Sequence, residues 1–130
     1  MSVKTVIIDD SDFFRKYMTG LCQQIGQNVV DSLPSGDAFI NGVRSGDYDD
    51  VELVLLDINM PGKTGKELIE DILEFLPDIL VIMVSTLSSI GVVEECLDLG
   101  AANFINKDSK SDTMMHIIKS TLQMNGFEED

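Results

Sequence analysis

Basic residues are scarce in this chain: 9 Lys and Arg stand against 23 Asp and Glu, a formal charge of -14 over 130 residues. Nucleic acid binding needs a basic face for phosphates, so the balance argues against that class and favours cations or basic partner surfaces. Cysteine is limited to Cys22 and Cys96, without a Cys-x-x-Cys or His-rich spacing, and histidine to His116. A disulfide framework or a zinc site is therefore not expected; two buried thiols are. A positively charged leader with an apolar core is missing, as is any apolar run of about 18 residues, so neither export nor membrane insertion is indicated and the cytoplasm is the expected compartment. No stretch reads as a linker, and at 44% hydrophobic the chain can build one real core. The expectation is a single domain over 1–130, with its core at about 4–124 and a frayed tail from 125.

What the chain does have is alternation. Apolar β-favouring runs at Lys4–Ile8, Asn28–Leu33, Val51–Leu56, Ile79–Val84 and Ala102–Ile105 read as strands. Between and after them, helical spacing recurs: Phe14, Tyr17, Met18, Leu21 and Ile25 up to Gly26, a polar stretch around Ala38–Val43, and Lys66–Leu76 closed by Pro77. A further helix runs to Leu99, capped by Ser88 or Ser89 and ended by Gly100, and the last is Thr113–Met124. Strands and helices alternating in this way predict an α/β fold, a doubly wound parallel sheet of five strands with helices on both faces. Ligands of such sheets sit at the carboxyl ends of the strands. Polar residues gather there: Asp9 and Asp10 follow the first strand, Asp57 the third, Ser85 the fourth and Lys107 the fifth.

Three carboxylates brought together repel by roughly 3 kcal/mol per pair at about 5 Å and an effective dielectric near 20. A cation must offset this, and Mg²⁺, a hard ion that takes one or two carboxylates and keeps waters, fits best. With Lys107 as a second positive charge and Ser85 as a hydroxyl donor, the group suits stabilisation of a phosphoryl group in transfer to a carboxylate.

Asp9-Asp10, Asp57-Ile-Asn-Met-Pro-Gly, Ser85-Thr86 and Lys107, in this order and spacing, resemble the receiver domain of two-component response regulators, of the single-domain CheY type. The resemblance covers about Lys4 to Met124. It implies the flavodoxin-like strand order 2-1-3-4-5 and a phosphoryl group accepted on Asp57 from a sensor histidine kinase. It also implies Mg²⁺ held by Asp10, Asp57 and the carbonyl of Asn59 with help from Asp9, phosphoryl oxygens bound by Ser85 and Lys107, and Phe104 as the aromatic switch. The output would pass through the fourth helix, fifth strand and fifth helix to a separate downstream protein, in chemotaxis or another phosphorelay, with a phosphatase as a further partner. Leu87, two residues beyond Ser85, offers no polar group to aim an attacking water, so self-hydrolysis is expected to be slow. The chain departs from the family in carrying Asp108 where a proline in a cis bond usually follows the lysine, Thr86 where a smaller residue is common, and Phe for Tyr at the switch.

Two other functions compete. A haloacid dehalogenase-type phosphohydrolase also uses an Asp after a strand, but wants an acid two residues on, where Asn59 stands. A phosphorylation-independent module of the same fold would not need the acidic triad. Gly62-Lys63-Thr64 is not a P-loop, because Asp57 occupies the place of its first glycine, and Asp57-x-Asn59 is not a calcium loop, because Leu68 stands where its Glu belongs.

Overall fold

The computed structural model describes residues 2–60, 64–86 and 90–127. The elements run β1 (Lys4–Ile8), α1 (Asp12–Gln24), β2 (Asn28–Leu33), α2 (Gly36–Arg44), β3 (Leu53–Asp57), α3 (Gly65–Phe75), β4 (Leu80–Ser85), α4 (Ile90–Leu99), β5 (Asn103–Asn106) and α5 (Ser111–Met124). The strands form one parallel sheet in the order β2-β1-β3-β4-β5. The expected alternation and strand order are thus both present. β3 begins two residues later than the apolar run suggests, because the Val51 N–H turns back to the Tyr48 carbonyl at 3.1 Å.

Local chemistry fixes the ends of the helices. Ser11 caps α1 by accepting from Phe14 N–H at 3.2 Å, Ser35 caps α2, and Thr64 and Glu67 form a reciprocal capping box on α3. Gly26 and Gly100 follow α1 and α4 at φ of 83° and 120°, backbone that only glycine adopts without strain. The proposed caps Ser88 and Ser89, the Pro61-Gly62 turn and Leu87 lie outside the described residues.

Every central strand is buried on both faces, which is why its sequence is continuously apolar instead of alternating. Alternate side chains then serve two separate cores. Val6, Ile8, Val54, Leu56, Val81 and Met83 pack with Phe39, Leu68, Ile69, Ile72, Val93 and Cys96 beneath α2, α3 and α4. Ile7, Leu53, Leu55, Ile82, Val84 and Ile105 pack with Met18, Leu21, Cys22, Met114, Ile118 and Leu122 beneath α1 and α5. Cys22 and Cys96 are both free and buried in different cores with the sheet between them, so they cannot pair. Burial pushes the Cys22 thiol up to about 12.

Two expectations need correction. Tyr17, read as part of the inward stripe of α1, is exposed, and Cys22 takes an inward place instead. Phe127, assigned to a frayed tail, packs against the α1/α5 core, and its N–H bonds the Leu122 carbonyl at 3.0 Å; residues 128–130 lie outside the described residues. No helix of the described residues is long and apolar enough to cross a membrane.

Candidate functional site

Strand register brings the polar residues together. Ile8 pairs with Leu56, so the next residues, Asp9 and Asp57, lie side by side at the ends of β1 and β3. Asp57 pairs with Val84, which puts Ser85 one step further along, and Ser85 pairs with Asn106, immediately before Lys107. The Lys107 N–H extends this pairing by donating to the Ser85 carbonyl at 2.8 Å. Groups far apart in sequence reach one edge because parallel strands in register all end there.

Asp9, Asp10 and Asp57 each offer a carboxylate oxygen within 4.8 Å of the others. Asp9 and Asp57 are buried, whereas Asp10 is exposed at the mouth. Each buried carboxylate is oriented by a main-chain donor two residues on: Ser11 N–H to Asp9 Oδ1 at 2.9 Å, and Asn59 N–H to Asp57 Oδ1 at 2.9 Å. Their second oxygens face Lys107, whose Nζ stands 2.9 Å from Asp9 Oδ2 and 3.2 Å from Asp57 Oδ2. The approach to Asp57 is a hydrogen bond. The approach to Asp9 is an ion pair, so one ammonium serves both buried carboxylates. One ammonium offsets only part of the negative charge that three clustered acids bring together. Three carboxylate oxygens at this spacing, an all-oxygen donor set, fit a hard divalent ion such as Mg²⁺.

Burial raises the Asp57 carboxyl above the usual range; the Asn59 N–H counters this, Asp9 adds to it, and Lys107 opposes it. For Lys107, burial acts to lower the ammonium, but Asp9 and Asp57 outweigh it, and the net direction is upward. The lysine is thus held charged beside a carboxylate whose charge is disfavoured.

Ser85 and Asn59 stand beside this cluster, not in it. The Ser85 hydroxyl is buried, donates to the Thr86 carbonyl at 2.9 Å and lies 3.5 Å from Asn59 Nδ2. Phe104 is half-buried against the α2/α3/α4 core. It pairs with Met83, two residues before Ser85, so Phe104 and Ser85 are diagonal neighbours on one face of the sheet. The Lys107–Asp108 peptide is trans. Its turn is held by Asn106, whose side-chain Oδ1 accepts from Asp108 N–H and whose carbonyl accepts from Ser109 N–H, both at 3.0 Å. His116 is exposed on α5.

Two residues near the cluster were not apparent in the sequence. The Phe14 ring lies under Lys107, with Nζ 4.6 Å from its centroid. Arg15 donates from Nη1 to the Asp9 carbonyl at 2.5 Å and pairs with Asp12. Both belong to the first turns of α1, and the only sequence signal was an aromatic pair, Phe13-Phe14, directly after the acidic pair.

The family described as "Response regulator receiver domain" matches residues 5–119. The chain is 31% identical over 122 residues to the chemotaxis protein CheY of Treponema pallidum, covering 92% of this chain and 83% of that one. It is 28% identical over 117 residues to the transcriptional regulatory protein LnrK of Bacillus subtilis, covering 89% of this chain and 52% of that protein. The chain thus spans about half the length of some curated relatives and most of others. Among solved structures, the CheX-CheY-BeF3-Mg²⁺ complex from Borrelia burgdorferi contains a chain that superposes with a TM-score of 0.83 at 30% identity, over 92% of this chain and 89% of that one.

Proposed function

The chain belongs to the response regulator receiver domain family, the phosphoacceptor module of two-component signalling, and from that premise we propose that Asp57 is its phosphoacceptor. One observation carries the reading. Asp57 is a buried carboxylate at a strand end, with one oxygen fixed by Asn59 N–H, the other facing the Lys107 ammonium, and two further acids within ion-binding distance. In the proposed reaction a sensor histidine kinase presents a phosphohistidine. An Asp57 oxygen attacks phosphorus as the P–N bond breaks, and the kinase histidine leaves. Mg²⁺, held by Asp10, Asp57 and the Asn59 carbonyl with Asp9 assisting, would neutralise the carboxylates and the incoming phosphoryl oxygens. Lys107 supplies the matching positive charge from the chain itself. Ser85 turns from the Thr86 carbonyl to donate to a phosphoryl oxygen. The chain catalyses its own phosphorylation and hydrolysis in this scheme and turns over no other substrate. Asn59, which offers no acid, does not favour the phosphohydrolase alternative.

The proposal extends to the whole chain as one receiver domain, acting in the cytoplasm. Movement of Ser85 toward Asp57 leaves space that its diagonal neighbour Phe104 can fill. That would alter the face made by α4, β5 and α5 and bias a pre-existing equilibrium. α4 exposes Ile90 and Leu97 on one flank and Val92 and Leu99 on the other, so that either flank offers apolar side chains to a separate downstream protein. The assembly of CheX with CheY in the similar structure supports a separate protein partner, and a phosphatase is a further partner of this proposal. Incubation with a small phosphodonor and Mg²⁺, followed by intact-mass measurement, tests the core of the proposal. Wild type should gain one phosphoryl mass, and Asp57→Asn or chelation should abolish it; an adduct that survives in Asp57→Asn refutes the assignment.

A further inference from the structure

We propose that Phe14 is a positioning residue for Lys107, holding the ammonium at the carboxylate cluster by the face of its ring. The inference rests on the reading of Asp57 as phosphoacceptor. Lys107 lies in a trans turn fixed by Asn106, and the backbone of that turn does not reach beyond Cα to aim a four-carbon side chain. Its Nζ is nonetheless placed by three groups: Asp9 Oδ2, Asp57 Oδ2 and the Phe14 ring at 4.6 Å. Asp9 and Asp57 also belong to the carboxylate cluster that could hold a cation. The ring does not. It attracts an ammonium through its quadrupole, adds no negative charge to an already crowded set of acids, and offers no oxygen to a metal ion. Phe14 therefore holds Lys107 without competing for an oxygen that a cation would use.

The placement of Phe14 follows from a chain of local contacts. Asp9 Oδ1 accepts from Ser11 N–H, and Ser11 Oγ accepts from Phe14 N–H, so the acid that shares Lys107 also sets the start of α1. Helical side chains lean toward the N-terminus, which aims a residue in this first turn back at the strand ends. Phe13, one position earlier, is 80% exposed, while Phe14 is half-buried against the α1/α5 core and 5.9 Å from the Tyr17 ring.

The test uses two variants, Phe14→Leu, which keeps apolar bulk, and Phe14→Tyr, which keeps the ring. In ion-free protein, NMR of the Lys107 ε-methylene should show an upfield ring-current shift in wild type and Phe14→Tyr, absent in Phe14→Leu. With acetyl phosphate at saturating Mg²⁺, Phe14→Leu should be phosphorylated roughly three- to fivefold more slowly, the rate equivalent of one exposed cation–ring contact, and Phe14→Tyr should recover the wild-type rate. An unshifted Lys107 in wild type, a wild-type rate in Phe14→Leu, or a Phe14→Tyr as slow as Phe14→Leu overturns the proposal. The Phe14→Tyr comparison stands alone if Phe14→Leu does not fold. A shifted Lys107 in a wild type that takes no phosphoryl group on Asp57 instead refutes the phosphoacceptor reading, and the positioning role with it, while leaving the ring contact in place.

Discussion

Replacing Asp57 with Asn should stabilise the ion-free protein, although it removes a partner of Lys107. The Coulomb terms nearly cancel. At 3.2 Å and an effective dielectric of about 20, the attraction of Asp57 to Lys107 is about 5 kcal/mol. Repulsion from buried Asp9 at up to 4.8 Å is about 3.5 kcal/mol, and from exposed Asp10, in nearly bulk water, about 1 kcal/mol. Desolvation therefore decides the sign. Asp57 is 2% exposed, and dehydration of a buried carboxylate costs several kcal/mol, of which the single Asn59 N–H returns about 1.5–3 kcal/mol. The upward shift of the Asp57 carboxyl, led by burial, points the same way. A net gain of about 1–2 kcal/mol at pH 7 is expected, read by urea unfolding in EDTA as a midpoint raised by roughly 0.5–1 M. The pH dependence follows from linkage. A carboxyl raised in the folded state binds its proton more readily there, so wild type loses stability relative to Asp57→Asn as pH rises through the interval between the unfolded and folded values. The gain should be complete above that interval and vanish below it. A variant no more stable than wild type at pH 7, or a gain unchanged at acid pH, would refute the reasoning.

Asp10→Ala should abolish Mg²⁺-dependent phosphorylation while keeping or raising the urea midpoint, since Asp10 is exposed and its removal relieves repulsion; loss of fold in circular dichroism would contradict this. Ser85→Ala and Phe104→Ala should still accept phosphate but weaken the coupling to a partner, and amide exchange on phosphorylation should change over residues 90–124 in wild type more than in either variant. Tyr48→Phe should cost about 1–2 kcal/mol, because the Tyr48 hydroxyl donates to Asp31 Oδ2 at 2.6 Å. In wild type, burial first and Asp31 second push that phenol up to about 12, so its ultraviolet ionisation should appear near there, and the stability it contributes should fade as pH climbs above about 10.

Local chemistry made much of this legible. The first strand, the second strand and the end of α5 are where their apolar periods put them, and Gly26 and Gly100 end their helices as glycines do. The acids were legible because each directly follows a strand, and parallel strands share an edge. Lys107 was legible in the same way, but its contact with Phe14 was not, because it joins the first helix to the loop after β5, and no pattern local to either residue encodes it. Tyr17 misled for a related reason: its spacing fits the inward stripe, yet Cys22 and Met18 fill the space beneath α1. Ser85 was placed at the right strand end, but its bond to the Thr86 carbonyl depends on a rotamer that sequence does not specify.

The division of alternate strand residues between two cores has a consequence for how a message travels. Strand alternation carries the side chains of Asp9, Asp57 and Lys107 toward α1 and α5, and those of Ser85 and Phe104 toward α2, α3 and α4. The buried carboxylates and the Ser85–Phe104 diagonal therefore lie on opposite faces of the sheet, and Val54, Leu56, Val81 and Met83 fill the face that Ser85 and Phe104 share. On the proposed reading, a reaction at Asp57 reaches Phe104 along the strand ends, where the Asn59 side chain lies 3.5 Å from the Ser85 hydroxyl, and not through the apolar interior. On that reading, the side chains around Phe104 can change residue by residue without disturbing Asp9 and Asp57, whose side chains lie on the other face.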